Sequence, residues 1–216
     1  MFENARKGLG KVYKAEILTI IAGIIGVIAA IVMFVMGKAI KTEAASVNTA
    51  DIVSLISMLV AVVIAIVSFF LNLFGIIAAS KDDEGFKNAL ITLVIGIIAS
   101  LVGSVLSSKH PDIASYFESL SDVAELFVMY YVIAGCVSIA NKKNNEKLAA
   151  TGNKMKVVII VIWLIGLVLN FFKGLANAKG TVAGTAYIIL VIVGAAATLV
   201  SYIAYLIILR KTIDTL

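Results

Sequence analysis

The stretch Ser68–Gly75 reads SFFLNLFG and lies inside a run, Ile52 to Ser80, without a single charged residue. A run of 18 or more apolar residues without charge has the length a helix needs to cross about 30 Å of hydrocarbon. The rest of the chain repeats the pattern. Of its 216 residues, 62% are apolar and 14% charged, and the mean hydropathy is +1.09, more than a water-soluble domain of this size buries. Backbone groups in lipid must pair within their own segment, so the runs are expected to be helices. The strands of a membrane barrel would instead alternate polar and apolar residues, and no such alternation occurs. The fold class predicted is an all-α integral membrane protein.

Six spans are expected, near Ile17–Met36, Ile52–Ala79, Asn88–Ser107, Val123–Ala140, Val157–Phe172 and Thr185–Leu209. The first run exceeds a signal-peptide core and precedes no obvious cleavage site, so it is expected to remain in the chain. Thirteen of the 18 Lys and Arg residues fall in the N-terminal tail, the second-to-third and fourth-to-fifth loops, and the C-terminal tail. By the positive-inside rule both termini are then cytoplasmic. The formal charge of +5 is a topology signal, and basic residues this scattered give no reason to invoke nucleic acid.

Each even-numbered span returns to a charged stretch: AASKDDEGFK after the second, IANKKNNEK after the fourth, ILRKTID after the sixth. With IAGIIGVIAA in the first span resembling VIGIIASLVG in the third, this suggests three tandem helical hairpins. Residues 1–15 read as a cytoplasmic interfacial segment, 16–209 as the six-helix domain and 210–216 as a short cytoplasmic tail. In the first of these, Phe2, Ala5, Leu9, Val12 and Tyr13 share one helical face and Lys7, Lys11 and Lys14 the opposite one, the pattern of a segment lying on anionic lipid. KDDE at Lys81–Glu84 reads as a solvated turn. NKKNNEK reads as a polar turn, with phospholipid head groups as partners for Lys142 and Lys143.

Helices in lipid gain little by burying apolar area against one another, so small residues and interhelical hydrogen bonds should mark their contacts. In the second span Ser57, Ala61, Ala65, Ser68, Asn72, Gly75 and Ala79 recur every three or four residues on one stripe. Asn72 is therefore expected to face another helix and to bond across the contact. The third span carries two adjacent small rows, Gly96, Ser100, Ser104, Ser108 and Ala99, Gly103, Ser107, and is expected in the middle of the bundle. Asn170 sits in a similar row of the fifth span, but roughly 15 Å from the depth of Asn72 at 1.5 Å per residue. Tyr202 and Tyr205 lie at the depth of Asn72, and Tyr131 with Tyr130 near the middle of the fourth span. Deep tyrosines need hydrogen-bond partners, which makes a cluster of Asn72 with Tyr202 or Tyr205 the sharper reading.

Chemistry has few candidates. His110 and Cys136 are the only histidine and cysteine, too few for an internal disulfide or a zinc site of the usual kind. Phosphate-loop and metalloprotease patterns are absent. Glu118, Asp122 and Glu125 share a helical face that could gather a hard cation, although acids in the first turns of a helix also stabilise its dipole. No catalytic, cofactor-binding or metal-binding residue is expected, and no cofactor.

In size and span count the whole chain is similar to the six-helix substrate-binding subunits of energy-coupling-factor importers, with which it shares no motif; that resemblance implies substrate capture. The residues themselves point to a non-catalytic multi-pass protein of the plasma membrane that binds a membrane partner or forms a homo-oligomer. The alternative is a small transporter, channel or transport subunit for a neutral solute. Sixteen lysines against two arginines fit a bacterial or archaeal source.

Overall fold

A computed structural model of the chain describes residues 2–39, 49–171 and 182–216. Six helices make it up: α1 (Glu3–Ala39), α2 (Thr49–Ala79), α3 (Glu84–Leu106), α4 (Pro111–Lys142), α5 (Glu146–Phe171) and α6 (Val182–Thr215). Each contains a stretch long and apolar enough to cross a membrane, and no strand occurs among the described residues. The fold is thus all-helical and consistent with a helical membrane protein. The helices outrun the expected spans: α1 continues without a break from the N-terminal segment into the first apolar run, and α4 from the acidic segment into the fourth.

The chain divides into two compact units, Gly10–Gly75 and the combination of Met1–Leu9 with Ile76–Leu216. Within the smaller unit α1 and α2 are joined by hydroxyls. The Ser68 hydroxyl donates to the Ala15 carbonyl at 2.7 Å and lies 2.6 Å from the Thr19 hydroxyl, which is itself 3.1 Å from the same carbonyl. The Ala15 carbonyl, with two lone pairs, can accept from both hydroxyls. Further along the pair, the Ser54 hydroxyl reaches the Ala29 carbonyl at 3.5 Å.

In the larger unit α4 touches α3, α5 and α6, so the central position expected of α3 belongs to α4. The α3–α4 contact explains why. A Cβ on Gly85 would lie 2.5 Å from the Gly135 nitrogen, one on Gly96 3.0 Å from the Ala124 Cβ, and one on Gly103 3.4 Å from the Phe117 Cβ. These partners step in opposite directions along the chain, which makes the helices antiparallel. The contact uses Gly96, Ala99 and Gly103, all buried, and leaves Ser100, Ser104, Ser107 and Ser108 exposed. Each of the two small rows is therefore occupied only in part, at its glycines and alanine and not at its serines.

Burial along α4 is sparse at first and nearly continuous from Val132 to Ala140. Phe86 and Ala89 of α3, Leu148 and Ala149 of α5, and Tyr205, Ile208 and Leu209 of α6 are also buried in this unit. Ala5 and Leu9, on the expected lipid-facing side of the N-terminal segment, are covered by protein, both 0% exposed. The large apolar side chains that remain exposed, among them Val105 at 75% and Leu101 at 62%, form the surface a bilayer would cover.

Gly135→Val tests the zipper. A side chain there would begin 2.6 Å from the Phe86 ring, and overpacking of this kind costs about 1–3 kcal/mol. Thermal unfolding in detergent should show that loss. Gly10→Ala, with no atom within 4 Å of the added methyl, should be neutral or stabilising by up to about 1 kcal/mol.

Candidate functional site

The turn between α2 and α3 carries two adjacent aspartates, and each serves a different helix. Asp83 is the N-cap of α3: its backbone is extended and its Oδ1 accepts from the Gly85 amide at 2.9 Å. This satisfies one of the amides that a helix start leaves unpaired. Asp83 Oδ2 accepts from the Ser138 hydroxyl at 2.5 Å and from Lys142 Nζ at 2.7 Å. Both partners are on α4, three and seven residues beyond Gly135, and so share a stripe with it. The carboxylate is only 4% exposed and the Lys142 side chain 50%, an ion pair buried at one end and wet at the other.

Asp82 caps a helix from a distance. Its Oδ2 accepts from the Ala5 amide at 2.7 Å and its Oδ1 from Asn4 Nδ2 at 2.9 Å. The first turn of α1 thereby receives a cap from a residue 77 positions later in the chain.

The α4–α5 turn fixes Lys142 in place. Asn144 has φ 54, the left-handed conformation that ends many helices, where asparagine is one of the few residues tolerated besides glycine. The Asn145 amide returns to the Ala140 carbonyl at 2.8 Å and the Asn144 amide to the Asn141 carbonyl at 3.0 Å, the paired bonds of a Schellman stop. Asn145 then caps α5, its Oδ1 accepting from the Leu148 amide at 3.1 Å. Lys142 and Lys143 hold their ammonium groups 5.7 and 5.9 Å from the centre of the Phe2 ring, within cation–π range.

Burial alone would push the Asp83 carboxyl up. Hydrogen bonds from Lys142, Ser138 and the Gly85 amide, with the Lys142 charge, outweigh it and hold the carboxyl below its ordinary value. An open cleft of about 240 Å³ lies over the turn, lined by Ser80, Lys81, Asp82, Asp83, Glu84, Lys87 and Lys142. Its carboxylates at positions 82 and 83 are already spent as acceptors, so the arrangement works as a clasp joining α3, α4 and the start of α1. Among the described residues no group of three or more His, Cys, Asp or Glu is arranged to hold a metal ion.

The other candidates are not residues of the clasp. Glu118, Asp122 and Glu125 are exposed along α4. Asn72 belongs to the smaller unit, and Tyr131, Tyr202 and Tyr205 to the larger. The Asn72 Oδ1 is buried without a hydrogen-bond partner; the interhelical bond expected of it is made by Ser68, one turn earlier. Tyr131 joins Tyr130, Phe127 and Trp163 in a group of rings 5.4 to 6.3 Å apart. Tyr205 is 1% exposed, with the Tyr202 ring 6.2 Å away. The Asn170 side chain lies outside the described residues.

Sequence reading missed the clasp. The D-E-G-F signature at Asp83–Phe86 is a recognisable helix start, but Ser138 and Lys142 are 55 and 59 residues away, and nothing local links them to the turn. Compared with protein-family models, curated proteins and solved structures, the chain matches none.

Two predictions follow from the clasp and the asparagine. Because the folded-state value of Asp83 is depressed, its contribution is complete above the ordinary carboxylate range and is lost as pH falls through that depressed value. Unfolding in detergent across pH 2–7 should show stability falling below about pH 4. Asp83→Asn should cost about 1–3 kcal/mol at neutral pH and remove that part of the acid dependence. Asn72→Leu should be neutral or stabilising, since it removes a buried acceptor with no partner; a large loss of thermal stability would show that the amide bonds after all.

Proposed function

We propose that this is a non-catalytic, multi-pass membrane protein that binds a membrane partner or assembles with further copies of itself, with both termini in the cytoplasm. The observation that carries the reading is the partial use of the small residues on α3. Gly96 and Gly103, one from each row, bring α3 onto α4 at backbone distance, while Ser100 and Ser104, which continue the row of Gly96, are exposed. A second helix approaching these serines would find a small profile and two hydroxyls with no side-chain bond among the described residues. Thr92, Ser107, Ser115, Ser119 and Thr198, by contrast, bond back to their own helices. In hydrocarbon, close approach and hydroxyl bonding are what hold helices together.

The orientation rests on lysine placement. Lys142, Lys143, Lys81 and Lys87 gather with the N-terminal segment around the clasp, and positive charge of this density favours the cytoplasmic leaflet. The alternative, passage or capture of a neutral solute, draws on the buried and unpartnered Asn72 Oδ1 and Trp163 Nε1. Assembly is preferred because it uses a whole helical face instead of two isolated atoms.

Single-molecule photobleaching in vesicles tests it. The wild type should show more than one copy per particle or require an added membrane partner, and a Ser100→Leu/Ser104→Leu double variant should shift the distribution to single copies with its unfolding temperature preserved. A wild type that is monomeric in vesicles and in native membranes would end the assembly reading.

A further inference from the structure

Lys156 sits ten residues into α5, about 15 Å from the start of that helix at 1.5 Å per residue. Among the described residues no carboxylate pairs with it. Its ammonium lies instead 6.0 Å from the centre of the Tyr130 ring on α4. Lys156 stands immediately before the expected fifth span, Val157–Phe172, at the level where lipid head groups would lie and an anion can reach it. Beyond it the surface turns apolar. Lys156, Ile160 and Trp163 follow one stripe of α5 at spacings of four and three, and Phe127 lies one turn before Tyr130 on α4. The Phe127 ring is 6.3 Å from those of both Tyr130 and Trp163, and Ile160 and Phe127 remain 42% and 36% exposed. The α4–α5 surface therefore offers a cation on an aromatic face at one end and an uncovered apolar track leading away from it.

We propose that this surface is a binding site for an anionic phospholipid, with the lipid phosphate on Lys156 over the Tyr130 ring and an acyl chain along Ile160, Phe127 and Trp163. The charge of Lys156 selects the phosphate, and the aromatic track selects a molecule with a hydrocarbon tail over a free anion. The inference rests on the chain lying in a bilayer as proposed above. It narrows the expected contact with anionic lipid from a diffuse basic surface to one groove.

Trp163 is the only tryptophan, so its fluorescence reports on this groove alone. The intact protein is reconstituted in vesicles containing brominated phosphatidylglycerol or brominated phosphatidylcholine at matched mole fractions, and quenching is titrated. Quenching by either lipid establishes that the groove faces hydrocarbon. Wild type should prefer the anionic lipid by about fivefold, the value of one lysine near a lipid phosphate. Lys156→Gln should abolish the preference, Lys156→Arg should keep it, and added inorganic phosphate at constant ionic strength should leave it unchanged. Equal quenching by both lipids in wild type, an undiminished preference in Lys156→Gln, or displacement by inorganic phosphate would overturn the lipid site. Absence of quenching by both would overturn the membrane placement of the groove as well.

Discussion

The contact between Gly85 and Gly135 is the constraint on which the larger unit depends. Two helices whose backbones meet with no side chain between them are held at a separation that a methyl group would forbid. At that separation the turn preceding α3 reaches α4, and Asp83 finds Ser138 and Lys142 on the stripe that Gly135 begins. Phe86, placed one residue after the first glycine, lays its ring where the second glycine leaves room. In a solvent as apolar as the side chains themselves, such fits replace the hydrophobic effect as the source of specificity. The polar clasp then adds direction, because a buried carboxylate requires its donors in particular places.

How much of this was legible in the sequence depended on the range of the interaction. The six helices were, since span length and the confinement of charge to loops are local properties that lipid imposes on every segment. Small-residue rows on α2 and α3 were also legible as stripes, but not which members of them would be covered: Gly96 and Ser100 share a row, and only the first is buried. Asn72 illustrates the limit more sharply. Its type and place on the stripe argued for an interhelical bond, yet the bond went to Ser68, whose shorter side chain lies beside the Ala15 carbonyl. The clasp was invisible for a different reason. A carboxylate in a charged tetrapeptide reads as solvated, and only folding brings residues 55 and 59 positions away against it.

The three polar features of the described structure differ in their surroundings. Hydroxyls at Ser68 and Thr19 join α1 to α2 within an apolar run, where weak uncharged donors suffice. Carboxylates and lysines meet only at the loop end, where water reaches half of Lys142 and the cost of ionisation falls. Aromatic rings at Phe127, Tyr130, Tyr131 and Trp163 gather where α4 meets α5, and the tyrosines and the tryptophan each combine an apolar body with a polar edge. The proposed lipid site and the proposed assembly face use different helices, so occupancy of one leaves the other open.

The cap that Asp82 supplies to α1 has a consequence for how the chain is made. Synthesis runs from the amino end, so when the first helix enters the translocation machinery its opening turn has two donors, the Ala5 amide and the Asn4 side chain, with no acceptor yet in existence. They find it only after the second helix and the following turn have emerged. Docking of the amino end therefore waits until the second helix and the turn after it have been made.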